Sequence, residues 1–126
     1  MIFSLVLAAA LFADDSERKA YYDSMLSCAA FHTIEATRAD ADGAQAQQAV
    51  AVDFAKTAVS MSADGTVETV NADLEILLAK FREELDTGDV RQMAEDWTDL
   101  ESACRELYPV RDLFTHMADK EATPAE

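Results

Sequence analysis

Glycine and proline are scarce in this chain, at three and two residues respectively. Alanine, leucine, glutamate and glutamine are abundant instead. These residues give up little conformational freedom in a helix, so the composition favours an all-helical chain. Two of the glycines follow aspartate, a pair that can mark a β-hairpin. Their flanks show no apolar alternation, which argues against strands joined by tight turns.

Basic residues are also few. Lys and Arg total 10 against 25 Asp and Glu, for a formal net charge of −15. Such a surface repels phosphate backbones and anionic membranes, which excludes nucleic acid as a partner. It has two readings: attraction to a cationic partner, or a solvated acidic surface that keeps a small protein soluble. With only two histidines and no serine at an interpretable spacing from either, a nucleophilic triad is not supported. The sequence contains no Gly-rich phosphate loop, no nucleophile elbow, no EF-hand loop and no Glu-x-x-His pair of the di-iron type. The acidic groups Glu83-Glu84, Glu95-Asp96 and Asp99 could serve acid–base chemistry or calcium, but read most simply as solvated helix faces. Aromatic residues make up 8% of the chain.

No apolar run is long enough to span a bilayer, which takes about 20 residues. Ile2–Ala13 is apolar and turns acidic at Asp14. It matches the apolar region of a secretory signal, with Ala13 or Ala10 as the small residue for cleavage. It departs from that pattern because no Lys or Arg precedes it; a cytosolic protein with an apolar arm is the alternative. The expected organisation is a signal peptide at 1–13, one helical domain at 14–119, and a disordered tail at 120–126.

All three glycines fall between periodic segments, at Asp42-Gly43, Asp64-Gly65 and Gly88-Asp89. They are read as helix ends and connections at nearly even intervals. The first helix is expected over Ser16–Ala39, with a stripe of Tyr21, Met25, Cys28 and His32, and Tyr22, Leu26 and Ala29 alongside. The second, Ala44–Met61, carries Val50, Phe54, Ala58 and Met61. The third, Val67–Asp86, has the clearest pattern: Val67, Val70, Leu74, Leu77, Phe81, Leu85. The fourth begins near Val90 and repeats Val90, Met93, Trp97, Leu100, Cys104 and Leu107, continuing past Pro109 to about Ala118. Pro109 either kinks it or starts a short fifth helix. The three-and-four spacing marks a bundle seam, and short loops place neighbours antiparallel. The expected fold is therefore an all-α, up-down-up-down four-helix bundle. Asp42 and Asp89, each three residues before a glutamine, are expected as caps of the second and fourth helices, and Thr66 of the third.

Cys28 and Cys104 lie near the middles of the first and last helices. In this topology their levels match, so Met25 would meet Leu107 and His32 would meet Leu100. Helix axes usually lie about 8–10 Å apart, whereas a disulfide needs Cα atoms about 5.5 Å apart. Ala29, Ala30, Ala103 and Ser102 are small enough to allow that approach. A Cys28–Cys104 disulfide is expected, with two reduced core cysteines as the alternative. His32 then reads as a half-buried histidine bonded to Glu35 or a backbone carbonyl.

A rival reading is a haem or metal bundle with His32, His116 and a methionine as ligands. Cys28-Ala29-Ala30-Phe31-His32 has the cysteine–histidine spacing of a c-type haem attachment, but Phe31 replaces the second cysteine. No cofactor and no metal site is therefore expected. Tyr21 and Tyr22 should gather with Tyr108, Phe114 and Met117 at one end of the bundle. That cluster is either an exposed contact surface for a protein partner or an apolar end-plug around Pro109. The functional expectation is a non-catalytic binding or structural protein in a bacterial cell envelope, with an unknown protein partner. A cytosolic helical protein with free thiols is the third reading.

Overall fold

The computed structural model describes residues 15–114. The expected signal segment, the tail, His116 and Met117 lie outside the described residues. Four helices run in order: α1 (Asp15–Arg38), α2 (Ala41–Met61), α3 (Val67–Thr87) and α4 (Val90–Leu107). A 3₁₀ turn at Tyr108–Val110 follows, and residues 111–114 are helical again. Among the described residues there is no strand.

The helix starts follow from local capping chemistry. The Thr66 side chain accepts from the Thr69 N–H at 3.2 Å, and Asp89 accepts from the Gln92 N–H at 2.9 Å. These starts agree with the sequence analysis. The start of α2 does not. Asp40, rather than Asp42, is its cap, accepting from the Gly43 N–H at 2.8 Å. Asp42 instead sits in the first turn, where its charge complements the helix dipole, and Gly43 lies inside the helix. Two aspartates two residues apart offer the same cap chemistry, and the earlier one yields the longer helix.

Two glycines meet real backbone constraints. Gly65 has φ of 66°, the left-handed conformation that reverses the chain between α2 and α3. At Gly88, a Cβ would lie 2.6 Å from the Glu84 carbonyl oxygen and 2.9 Å from Met93 Cγ. The bare backbone there lets α4 begin directly against the end of α3. Pro109 lacks an N–H to continue the α-helical ladder, and the helix tightens to the 3₁₀ turn without ending.

The helices share the core unequally. From Ser24 to Ile34, α1 carries no charged residue. Tyr21, Tyr22, Met25, Leu26, Cys28, Ala29, Ala30, Phe31 and Ile34 are all buried, and these positions point in every direction around the helix. A helix apolar on all sides belongs inside. α1 accordingly packs against α2, α3 and α4, most extensively against α2. Its alanines let the neighbours approach closely. The other helices bury stripes only: Ala51, Phe54, Ala58 and Met61 on α2, Val70 and Leu78 on α3, and Leu100, Cys104 and Leu107 on α4.

Cys28 and Cys104 form a disulfide, with Cα atoms 5.4 Å apart. Tyr21 packs on Phe114 with ring centroids 4.9 Å apart, and the Trp97 indole N–H donates to Glu35 at 2.7 Å. Partner numbers therefore fall along the last segment as they rise along α1. The 3₁₀ turn is fastened to α2. Tyr108 Oη donates to Asp53 at 2.6 Å, and Arg111 bonds the same carboxylate oxygen at 3.3 Å while lying over the Tyr108 ring.

Replacing both cysteines by alanine is expected to lower stability by about 2–5 kcal/mol, because the bridge closes a long loop in the unfolded chain. Urea denaturation followed by circular dichroism measures this. An unchanged midpoint would contradict the stapled core.

Candidate functional site

Most residues singled out in the sequence are committed to structural bonds. Cys28 and Cys104 are joined, so neither sulfur is free to hold a metal or haem. His32 faces α2 rather than Leu100 or Glu35, correcting that expectation. Its Nδ1 lies within hydrogen-bond distance of Gln47 Oε1, at 2.5 Å. Its ring stacks on Phe54, with centroids 5.7 Å apart and planes 11° from parallel. The reason lies in the helix itself: Cys28 already occupies the α4-facing direction, and Phe31 and Glu35 extend it toward Trp97. Among the described residues, no group of three or more His, Cys, Asp or Glu side chains is placed to hold a metal ion.

For the aromatic cluster, burial bears on the choice between a contact surface and an end-plug. Tyr21 and Phe114 are 1% exposed and Tyr22 is 8% exposed, so these rings form an apolar plug rather than an exposed contact surface. Tyr108 is half-buried with its hydroxyl on Asp53. The sequence showed the gathering of these rings but not which side of the helix ends would cover them.

Several creases are open among the described residues, one of about 360 Å³ between α1 and α3 among them. A crease of about 490 Å³ lies beside the turn between α2 and α3 and is lined by Arg18, Lys19, Tyr22, Asp64 and Asp73 among others. Its charges largely answer one another. Tyr22 Oη donates to Asp73 at 2.6 Å, and Lys19 bonds Asp23 at 3.1 Å. Asp64 accepts from the hydroxyls of Ser62, Thr66 and Thr69 and from the Thr66 N–H. These bonds, that from Thr69 foremost, hold its carboxyl down at about 2. Asp64 thus acts as the knot of the turn that positions α3.

Another crease lies between α3 and α4, which are joined through Gly88 and Asp89 yet touch each other little. It opens to solvent and has a volume of about 240 Å³. Phe81 and Leu85 line one wall, Met93, Trp97 and Leu100 the other, with Ser27 of α1 between them and Glu84 and Asp96 at the edge. Trp97 is held by its bond to Glu35 and by ring contacts with Phe31 and Phe81, at 4.7 and 5.9 Å between centroids. The slot is the open end of the α3–α4 seam. Along α4 the stripe passes from buried Leu100, through half-buried Trp97 and Met93, to Val90 at 85% exposed. The periodicity was visible in the sequence, but the splaying that uncovers it was not. Ordinary small-molecule pockets run about 300–1,000 Å³, so this volume suits one or two apolar side chains better than a cofactor.

Burial, and then the bond to Asp73, push the Tyr22 hydroxyl pKa well above its ordinary 10.0. A raised tyrosine pKa adds stability that is complete below pH about 10 and is lost as pH rises further. Tyr22→Phe is expected to lower stability by about 1 kcal/mol at neutral pH and to flatten the decline above pH 10. Urea midpoints measured across alkaline pH check this; parallel alkaline slopes in the two proteins would contradict it. No family model, no curated protein and no solved structure matches this chain, so its function is argued from this geometry.

Proposed function

We propose that this chain is an exported, acidic, disulfide-stapled protein that binds another protein in the bacterial cell envelope and catalyses no reaction. The observation that carries the reading is the Cys28–Cys104 bond. Disulfides persist in oxidising compartments and are rare where thioredoxin and glutathione keep thiols reduced. The apolar stretch Ile2–Ala13, turning acidic at Asp14, agrees with export. No helix among the described residues is long and apolar enough to cross a membrane.

The architecture in this reading is an up-down-up-down bundle. Support comes from the pairs Tyr21–Phe114, Cys28–Cys104 and Glu35–Trp97, whose numbers run in opposite senses on the two segments. A binding role is supported by what the reactive side chains do. Both cysteines, His32, Tyr22 and Tyr108 are engaged in bonds that hold helices together, while the apolar α3–α4 slot stays open.

Intact-mass measurement of the protein from its native host, without reductant, tests the reading. The expected product begins at Leu11 or Asp14, after Ala10 or Ala13, and is lighter than the reduced chain by two hydrogens. A chain retaining residues 1–13, whose two thiols alkylate on denaturation without prior reduction, would contradict it.

A further inference from the structure

We infer that the α3–α4 slot receives a basic amphipathic helix of a partner protein, its apolar side chains seated against Phe81, Leu85, Met93 and Trp97 and its Lys or Arg residues on the carboxylate edge. The inference deepens the protein-binding reading and rests on it. Two independent features of the slot converge. The first is shape: a channel between two splayed helices, closed beneath by α1 and walled by Phe81, Leu85, Met93 and Trp97. A helix laid into such a channel offers side chains at three- and four-residue spacing, the pattern these walls themselves present. The exposed Val90 continues the apolar track past Met93, so the receiving surface is longer than the enclosed volume.

The second feature is charge. Glu84 and Asp96 line the slot, and the adjoining exposed positions on the two helices include Glu83, Asp86, Glu95 and Asp99. An apolar channel edged by carboxylates discriminates by sign: cations on the incoming helix are drawn in and anions are repelled. The same charge argues against the other occupants. A second copy of this chain also carries −15 and would meet like charge along the whole edge. Residues 1–13 carry no charged side chain and would leave the carboxylates unmatched.

Trp97 is the sole tryptophan and lines the slot, so its fluorescence reports occupancy directly. The probe is a synthetic tryptophan-free helix-forming peptide with leucines at three- and four-residue spacing and lysines elsewhere, titrated into the oxidised full chain. A second peptide carries glutamates in place of the lysines. The expected result is a saturable change in Trp97 emission with the lysine peptide, weakening with added salt, and none with the glutamate peptide. Glu84→Lys and Asp96→Lys are each expected to weaken binding about two- to fivefold, as for loss of an exposed charge pair. The double variant Q45K/Q48K, on α2 away from the slot, changes net charge as much as Glu84→Lys and should bind normally. Circular dichroism confirms that all three variants remain folded.

Equal response to both peptides, equal weakening by Q45K/Q48K, or a Trp97 emission that changes with protein concentration alone would overturn the slot assignment. Site-specific photo-crosslinking in cells separates this failure from a wider one. A protein captured only from another face, with Trp97 silent to the peptides, removes the slot but leaves a binding protein. Capture of no protein from any face removes both readings.

Discussion

The first helix and its covalent tie to the fourth are the constraint on which the rest of the structure depends. α1 is apolar in every direction through its middle, and an isolated helix of that kind cannot remain in water. It must be covered by its neighbours, and the way each does so sets the architecture. α2 takes the largest share, through a stripe of Ala51, Phe54, Ala58 and Met61 and the His32–Gln47 contact. α4 is held at one level by Cys28–Cys104, with Glu35–Trp97 above and Tyr21–Phe114 below. α3 covers what remains, positioned by the Asp64 knot at its start and the Tyr22–Asp73 bond along its length.

This division of labour explains why polar side chains sit where they do. Burying a hydroxyl or an indole N–H without a partner costs about 1–3 kcal/mol. Tyr22, Tyr108 and Trp97 each reach a carboxylate near the surface while their rings pack against the core. All three carboxylates lie on a different helix from the ring they serve, so each bond also fixes an interhelical register. The acidic excess of the chain thus has two parts. Asp53, Asp73 and Glu35 serve the core, and a larger exposed set gives the protein its external field. The slot between α3 and α4 lies where that field borders apolar surface.

Much of this was legible in the sequence. Four helices follow from spacing and capping residues, and the disulfide follows from matched levels and the small residues beside each cysteine. The departures have different causes, and the largest concerns α1. Periodicity measures contrast between two faces of a helix, so it is strongest in α3 and α4, which turn out to be the least buried. It is weakest in α1, where burial on all sides erases the contrast. A stripe through Tyr21, Cys28 and His32 could therefore be traced, but not the fact that the opposite side is also inside. That hidden burial encloses both Tyr21 and Tyr22, and it leaves His32 facing α2. The splaying of α3 from α4 was not legible because it depends on side-chain volumes across three helices at once. The misplaced cap had a local cause: Asp40 and Asp42 are chemically alike, and only the packing of the α1–α2 turn chooses between them.

Native-state hydrogen exchange tests most directly whether α1 is the enclosed centre. Amides open by local or global unfolding according to how their surroundings are packed. Those of Met25–Ile34 should be the slowest in the chain, exchanging only when the whole protein unfolds, while those flanking Gly88 exchange earlier. Exchange in α1 as fast as at the α3–α4 end would contradict the account, because a helix covered on all sides has no cheaper route to solvent.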